Sequence, residues 1–140
     1  EHEKKHKMVH NDSHKFESNF VSLEIPKNNS VMFGSLSGTK LGVWVAHGEG
    51  KFEFPYEEKE YNIIAKYNYD GYPANPNGSP WSVAGVCSKD GRHLAMMPHP
   101  ERAIFPWQCG YSPADRKEND EVTPWIEAFV NARKWIENNK

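Results

Sequence analysis

The apolar residues of this chain come in strand-length runs, each cut off by proline, glycine or an Asp-Gly pair. That punctuation favours a sheet over helices for most of the sequence. Val21, Leu23 and Ile25 alternate onto one face of Phe20–Ile25, and Pro26 stops the run. Leu41-Gly42-Val43-Trp44-Val45-Ala46 reads as a buried strand entering a tight turn at Gly48 and Gly50. Tyr61, Ile63, Ala65, Tyr67 and Tyr69 share one face of a third run that Asp70-Gly71 ends. Ser82–Ser88 and His93–Met97, joined by Lys89-Asp90-Gly91-Arg92, have the spacing of a hairpin. One segment breaks this rule. Thr123-Pro124 supplies an N-cap and a first-turn proline, and Trp125, Phe129, Ala132 and Ile136 recur at helical spacing. The expectation is a closing helix over 123–138 with that face inward. Residues 1–19 form a largely polar N-terminal segment, and residues 1–15 cannot bury alone. The chain by itself therefore reads as α+β, strand-rich with a C-terminal helix.

A length of 140 residues fits one domain or a large piece of one. With 13% aromatic residues, the chain can fill a core although only 37% of it is hydrophobic. A formal charge of −2 gives no general attraction to nucleic acid or to an anionic membrane. No apolar run is long enough to span a bilayer. The N-terminus lacks the apolar stretch of a signal peptide. Cys87 and Cys109 make no disulfide framework and are expected to be reduced thiols, which points to a cytoplasmic protein.

The chemistry concentrates in Met96-Met97-Pro98-His99-Pro100-Glu101-Arg102. A residue before proline is pushed towards extended geometry. Residues i and i+2 of an extended segment face the same way. His99 and Glu101 are thus expected to project together from a strand end. A carboxylate beside an imidazole fixes its tautomer and supports the imidazolium, which is the base-and-orienter half of a nucleophilic triad. Gly48 and Gly50, within His47-Gly48-Glu49-Gly50, let backbone approach a ligand closely.

Met97–Arg102 resembles the His-Pro-Glu signature of class I (triad) glutamine amidotransferases. Four further stretches resemble, in order, the amidotransferase domain of the phosphoribosylformylglycinamidine synthase family, in its large single-chain form. They are Asn11-Asp12-Ser13 with Phe16-Glu17, His47–Gly50, Asn75-Pro76-Asn77-Gly78-Ser79, and Asn131-Ala132-Arg133-Lys134. The resemblance implies an α/β parent domain with a mainly parallel sheet, of which residues 1–140 are the C-terminal portion. It implies a purine-pathway ligase that hydrolyses glutamine and uses the ammonia, with ATP and Mg2+ in a separate synthetase domain and no cofactor or metal in this part. His99 and Glu101 would be catalytic. Gly48 and Glu49 would lie against glutamine, and His47, Asn75, Asn77, Gly78 and Ser79 would shape the site. The implied partners are glutamine and the rest of the polypeptide. Exposed sheet edges would favour self-association.

One family feature is missing. The nucleophile sits on a Gly-x-Cys-x-Gly elbow upstream of everything present here, and neither Cys87 nor Cys109 has that context. The chain alone is therefore expected to be inactive. A non-catalytic interaction module is the alternative. Two zinc readings compete more weakly. His2-Glu3-Lys4-Lys5-His6 matches H-E-x-x-H, and His10 and His14 would continue one helix face. His99-Pro100-Glu101 fits H-x-E of the zinc deaminases but lacks the P-C-x-x-C partner.

Overall fold

A computed structural model describes residues 6–139. Its main sheet has five strands in the order β3-β2-β5-β6-β7, and a two-stranded ribbon pairs β1 with β4. Strand β1 is Lys7–Val9, β2 Glu17–Glu24, β3 Lys40–His47, β4 Lys51–Glu53, β5 Asn62–Tyr67, β6 Val83–Cys87 and β7 Leu94–Met96. Two helices follow, α1 over Ala114–Asn119 and α2 over Ile126–Asn138. The chain is thus strand-rich and mixed α/β, with a helix closing it. Every pairing among the described strands is antiparallel. The parallel sheet implied for the whole domain is not built from these strands. None of their connections carries the helical crossover that parallel neighbours require.

Strands β2 and β3 pair along their full length, from Glu17 opposite His47 to Glu24 opposite Lys40. Strand β5 meets β2 only at Leu23 and Glu24, so the Glu17 end of the hairpin is free of β5. One face of the sheet buries Val21, Leu23, Val43 and Val45, as the alternation requires, with Ile25 continuing the same row. Strand β5 departs from strict alternation. Its register slips on both sides of Ala65, and Ile64 and Ala65 are both buried while Tyr69 is exposed. A bulge inserts a residue and turns the following side chains over.

Thr123 caps the closing helix as expected. Its Oγ1 accepts the Trp125 N–H at 3.3 Å and donates to the Ala103 carbonyl at 2.5 Å. Regular helix begins only at Ile126. The inward face differs from the expected one. Trp125 and Ala128 are buried, whereas Phe129 and Ile136 are 36% and 55% exposed. Several bonds hold that orientation: Trp125 Nε1–H donates to the Gly42 carbonyl at 2.8 Å, and Asn131 lies over the turn at Gly34–Leu36, where its amide donates to Met32 O and Ser35 Oγ.

The N-terminal segment is more built-in than its polarity indicates. Lys7–Val9 is a strand and Asn11 is fully enclosed. A strand there removes the helix face proposed for His6, His10 and His14, and residues 2–5 of the H-E-x-x-H match lie outside the described residues. His10 instead faces Glu49, 3.5 Å away. Among the described residues no helix is long and apolar enough to cross a membrane.

Candidate active site

His99 is delivered by the β6–β7 hairpin and anchored by its own backbone. Its N–H donates to the Trp44 carbonyl of β3 at 2.8 Å. Pro100 then opens a tight 3-10 turn over Pro100–Arg102, closed by the Arg102 N–H on the His99 carbonyl at 3.1 Å. The expected two-residue projection from an extended strand is therefore corrected to a turn. Proline suits its first position, having no N–H to lose and a fixed φ. The turn folds the carboxylate under the ring, and His99 Nδ1–H donates to Glu101 Oε1 at 2.7 Å. An ionised carboxylate only accepts, so the proton sits on Nδ1 and Nε2 presents its lone pair. Nε2 has no partner among the described residues. The half-buried ring is thus an oriented base with its working nitrogen open.

Behind this turn three segments close into a buried polar knot. Asn11 Nδ2 donates to the Lys15 and His47 carbonyls at 3.0 and 2.7 Å. Its Oδ1 accepts the Gly50 N–H at 3.0 Å and meets His47 Nδ1 at 3.1 Å. Asn77 Nδ2 donates to the Gly50 carbonyl at 2.7 Å and to the Tyr67 hydroxyl at 3.1 Å. Ser79 Oγ accepts the Phe52 N–H, and Asn75 spans its own turn through the Ser79 carbonyl and the Gly78 N–H. Burial lowers the pKa of His47; Glu17 partly offsets this and His99 adds to it. Burial likewise raises the Tyr67 phenol well above its usual range. A side chain at Gly50 would start 2.6 Å from His47 Nδ1, so this glycine is required by packing. Gly48 is different. A Cβ there would meet nothing nearer than Phe16 at 3.9 Å, which leaves its backbone approachable.

His99 and Glu101 are thus in direct contact, His47 ends the strand on which His99 is anchored, and Gly48 follows His47 directly. Glu49 points to solvent. Asn75, Asn77 and Ser79 are buried and spend their polar atoms on the knot. A cleft of about 740 Å³ beside them is lined by Asp12, Lys15, Tyr72 and Trp81, among others, but not by His99 or Glu101. Asn11 and Glu17 lie in a stretch that carries the family resemblance, but nothing in a polar segment marks which of its side chains will be enclosed. Cys87 and Cys109 are both free. Burial raises the Cys109 pKa, the opposite of what an activated thiolate needs.

The sequence model of the CobB/CobQ-like glutamine amidotransferase domain matches residues 1–136. The chain belongs to that family. This amidotransferase chain is 43% identical over 140 residues to the human phosphoribosylformylglycinamidine synthase, with 91% of it covered. It is 42% identical over 145 residues to the probable chloroplastic/mitochondrial phosphoribosylformylglycinamidine synthase of Arabidopsis thaliana, with 94% covered. It spans only about 10% of the length of each of these relatives. Among solved structures, one titled as PurLQS from Thermotoga maritima superposes with a TM-score of 0.71 at 25% identity. That match takes in 95% of this amidotransferase chain and 54% of the other.

Proposed function

We propose that this chain is the C-terminal, His–Glu-bearing portion of the ammonia-supplying domain of a phosphoribosylformylglycinamidine synthase. The observation that carries the reading is the 2.7 Å contact between His99 Nδ1 and Glu101 Oε1, which leaves Nε2 open. A cysteine supplied by the upstream part of the domain attacks the side-chain amide of glutamine. His99 Nε2 takes the thiol proton and hands it to the leaving nitrogen, so ammonia departs and a thioester remains. Water activated by the same nitrogen hydrolyses the thioester to glutamate and frees the thiol. Glu101 holds the ring in the required tautomer and stabilises its protonated form.

Gly48 and Glu49 present backbone to the main-chain groups of glutamine. His47, Asn75, Asn77, Gly78 and Ser79 act behind that surface, holding the 47–50 turn in place. The ammonia serves the ATP-dependent conversion of formylglycinamide ribonucleotide to formylglycinamidine ribonucleotide. ATP and Mg2+ belong to the synthetase domain, and no residue of this chain is assigned to them. The remaining polypeptide is the principal partner, and the edges at β3 and β7 are where the chain alone would self-associate. Two free thiols accord with a cytoplasmic setting.

The test is His99→Ala in the full-length enzyme. Synthesis fed by glutamine should collapse while synthesis fed by free ammonia persists. Equal, unimpaired rates from both nitrogen sources would remove His99 from the site.

A further inference from the structure

Three enclosed side-chain polar atoms have no hydrogen-bond partner among the described residues: Ser13 Oγ, Glu17 Oε1 and His47 Nε2. Of these, Glu17 and His47 form a pair. The two residues face each other across the β2–β3 ladder. Directly opposed residues on an antiparallel pair project from the same face.

The tautomer of His47 is set by its neighbours. The Asn11 amide cannot be turned over without losing its bonds to the Lys15 carbonyl, the His47 carbonyl and the Gly50 N–H. Its Oδ1 can only accept, so the contact at 3.1 Å requires the proton on His47 Nδ1. Nε2 is left as a bare lone pair. An ionised Glu17 oxygen is likewise an acceptor. Two enclosed acceptors on opposed residues therefore have no donor bonded to either, an arrangement that native proteins avoid unless something from outside supplies the donor. The position is informative too. His99 is anchored on the Trp44 carbonyl of β3, three residues before His47 on the same strand, so the pair lies near the turn where nitrogen would be released.

We propose that Glu17 Oε1 and His47 Nε2 form a receiving site for the ammonia liberated at His99. The inference rests on the glutaminase reading given above. Ammonia and its ammonium form both present N–H donors to the two acceptors, and the site takes the nitrogen without any bond being made or broken. A neutral imidazole serves this role where an imidazolium, itself a donor, would repel the guest. Glu17 and His47 are positioning residues for the product rather than catalytic ones.

The test uses the complete enzyme and Glu17→Gln. The new amide removes the carboxylate charge and places a donor where an acceptor stood, without changing side-chain size. Glutamate released is measured against amidine formed, with synthesis driven by ammonium chloride recorded on the same preparation to report the synthetase site. The ratio of glutamate to amidine should rise about threefold or more as ammonia escapes. A ratio at the wild-type level overturns the proposal. Independently of any variant, ammonium chloride should protect the wild-type enzyme from thermal unfolding more than tetramethylammonium chloride at equal concentration. Tetramethylammonium carries no N–H and cannot donate to either acceptor. Equal protection means that water alone occupies the space and also overturns the proposal, including where Glu17→Gln does not fold. The His99→Ala experiment separates the two levels. If it leaves glutamine-driven synthesis intact, the glutaminase reading fails; if it passes while the Glu17 ratio is flat, only the receiving site fails.

Discussion

His99 and Glu101 lie two residues apart on one accessible turn, while Asn11, His47, Gly50 and Asn77 come from three distant segments and are enclosed together. The turn needs little from the rest of the molecule beyond the anchor on Trp44. Proline geometry and the pair's own hydrogen bond make it. The knot is the reverse: beside local bonds such as Asn11 Nδ2 to the Lys15 carbonyl, its members depend on residues tens of positions away. Chemistry is thus placed on the locally encoded element, and rigidity on the one that exists only after folding.

Removing His99 should separate the two most sharply. His99→Ala is expected to lower glutamine-dependent turnover by about 10²–10⁴-fold. Its urea midpoint should stay near wild type, since a half-exposed turn residue carries little stability. A large stability loss would show that the turn is structural after all. Asn11→Ala should act the other way, costing roughly 2–4 kcal/mol by leaving the Gly50 N–H and the His47 and Lys15 carbonyls without their partner. Denaturant titration measures this, and an unchanged midpoint would break the claim that the knot is the rigid element.

Gly50→Ala should cost about 1–3 kcal/mol, because the added methyl starts 2.6 Å from the His47 ring. Gly48→Ala should cost less in stability, because the nearest atom is 3.9 Å away, and should appear mainly as weaker glutamine binding. A larger stability loss at Gly48 than at Gly50 would invert the comparison. The smallest effect concerns pH. Burial holds the folded-state pKa of His47 below 6.5, so on acidification the unfolded chain binds its proton first. The contribution of a neutral His47 is complete above about pH 6.5 and is lost as the pH falls towards the folded-state value. Between about pH 7 and about pH 5 the wild-type urea midpoint should therefore fall more steeply than that of His47→Gln. Identical slopes would mean that His47 is not held neutral.

Legibility in the sequence follows the same division. The hairpin at Lys89–Arg92, the alternation of Val21, Leu23 and Ile25, the Thr123 cap and the His-Pro-Glu turn are written in neighbouring residues, and all are present. Other expectations needed revision. The extended projection of His99 and Glu101 is a 3-10 turn, a local effect of Pro100. The bulge at Ala65 breaks the alternation of β5, the helix turns Phe129 and Ile136 outward, and the polar start of the chain contains the buried Asn11. These last three come from contacts made across the fold.

Run lengths, turn residues, the proline-set spacing of His99 and Glu101, and the ordered family motifs were determined by the sequence itself. They depend on φ restrictions and side-chain periodicity that act within a few residues. Only the tertiary structure decided which polar side chains would be enclosed, which tautomer His47 adopts, and that Glu17 faces it without a donor. Burial and long-range hydrogen bonding are properties of what packs against a residue, and those neighbours lie far away along the chain.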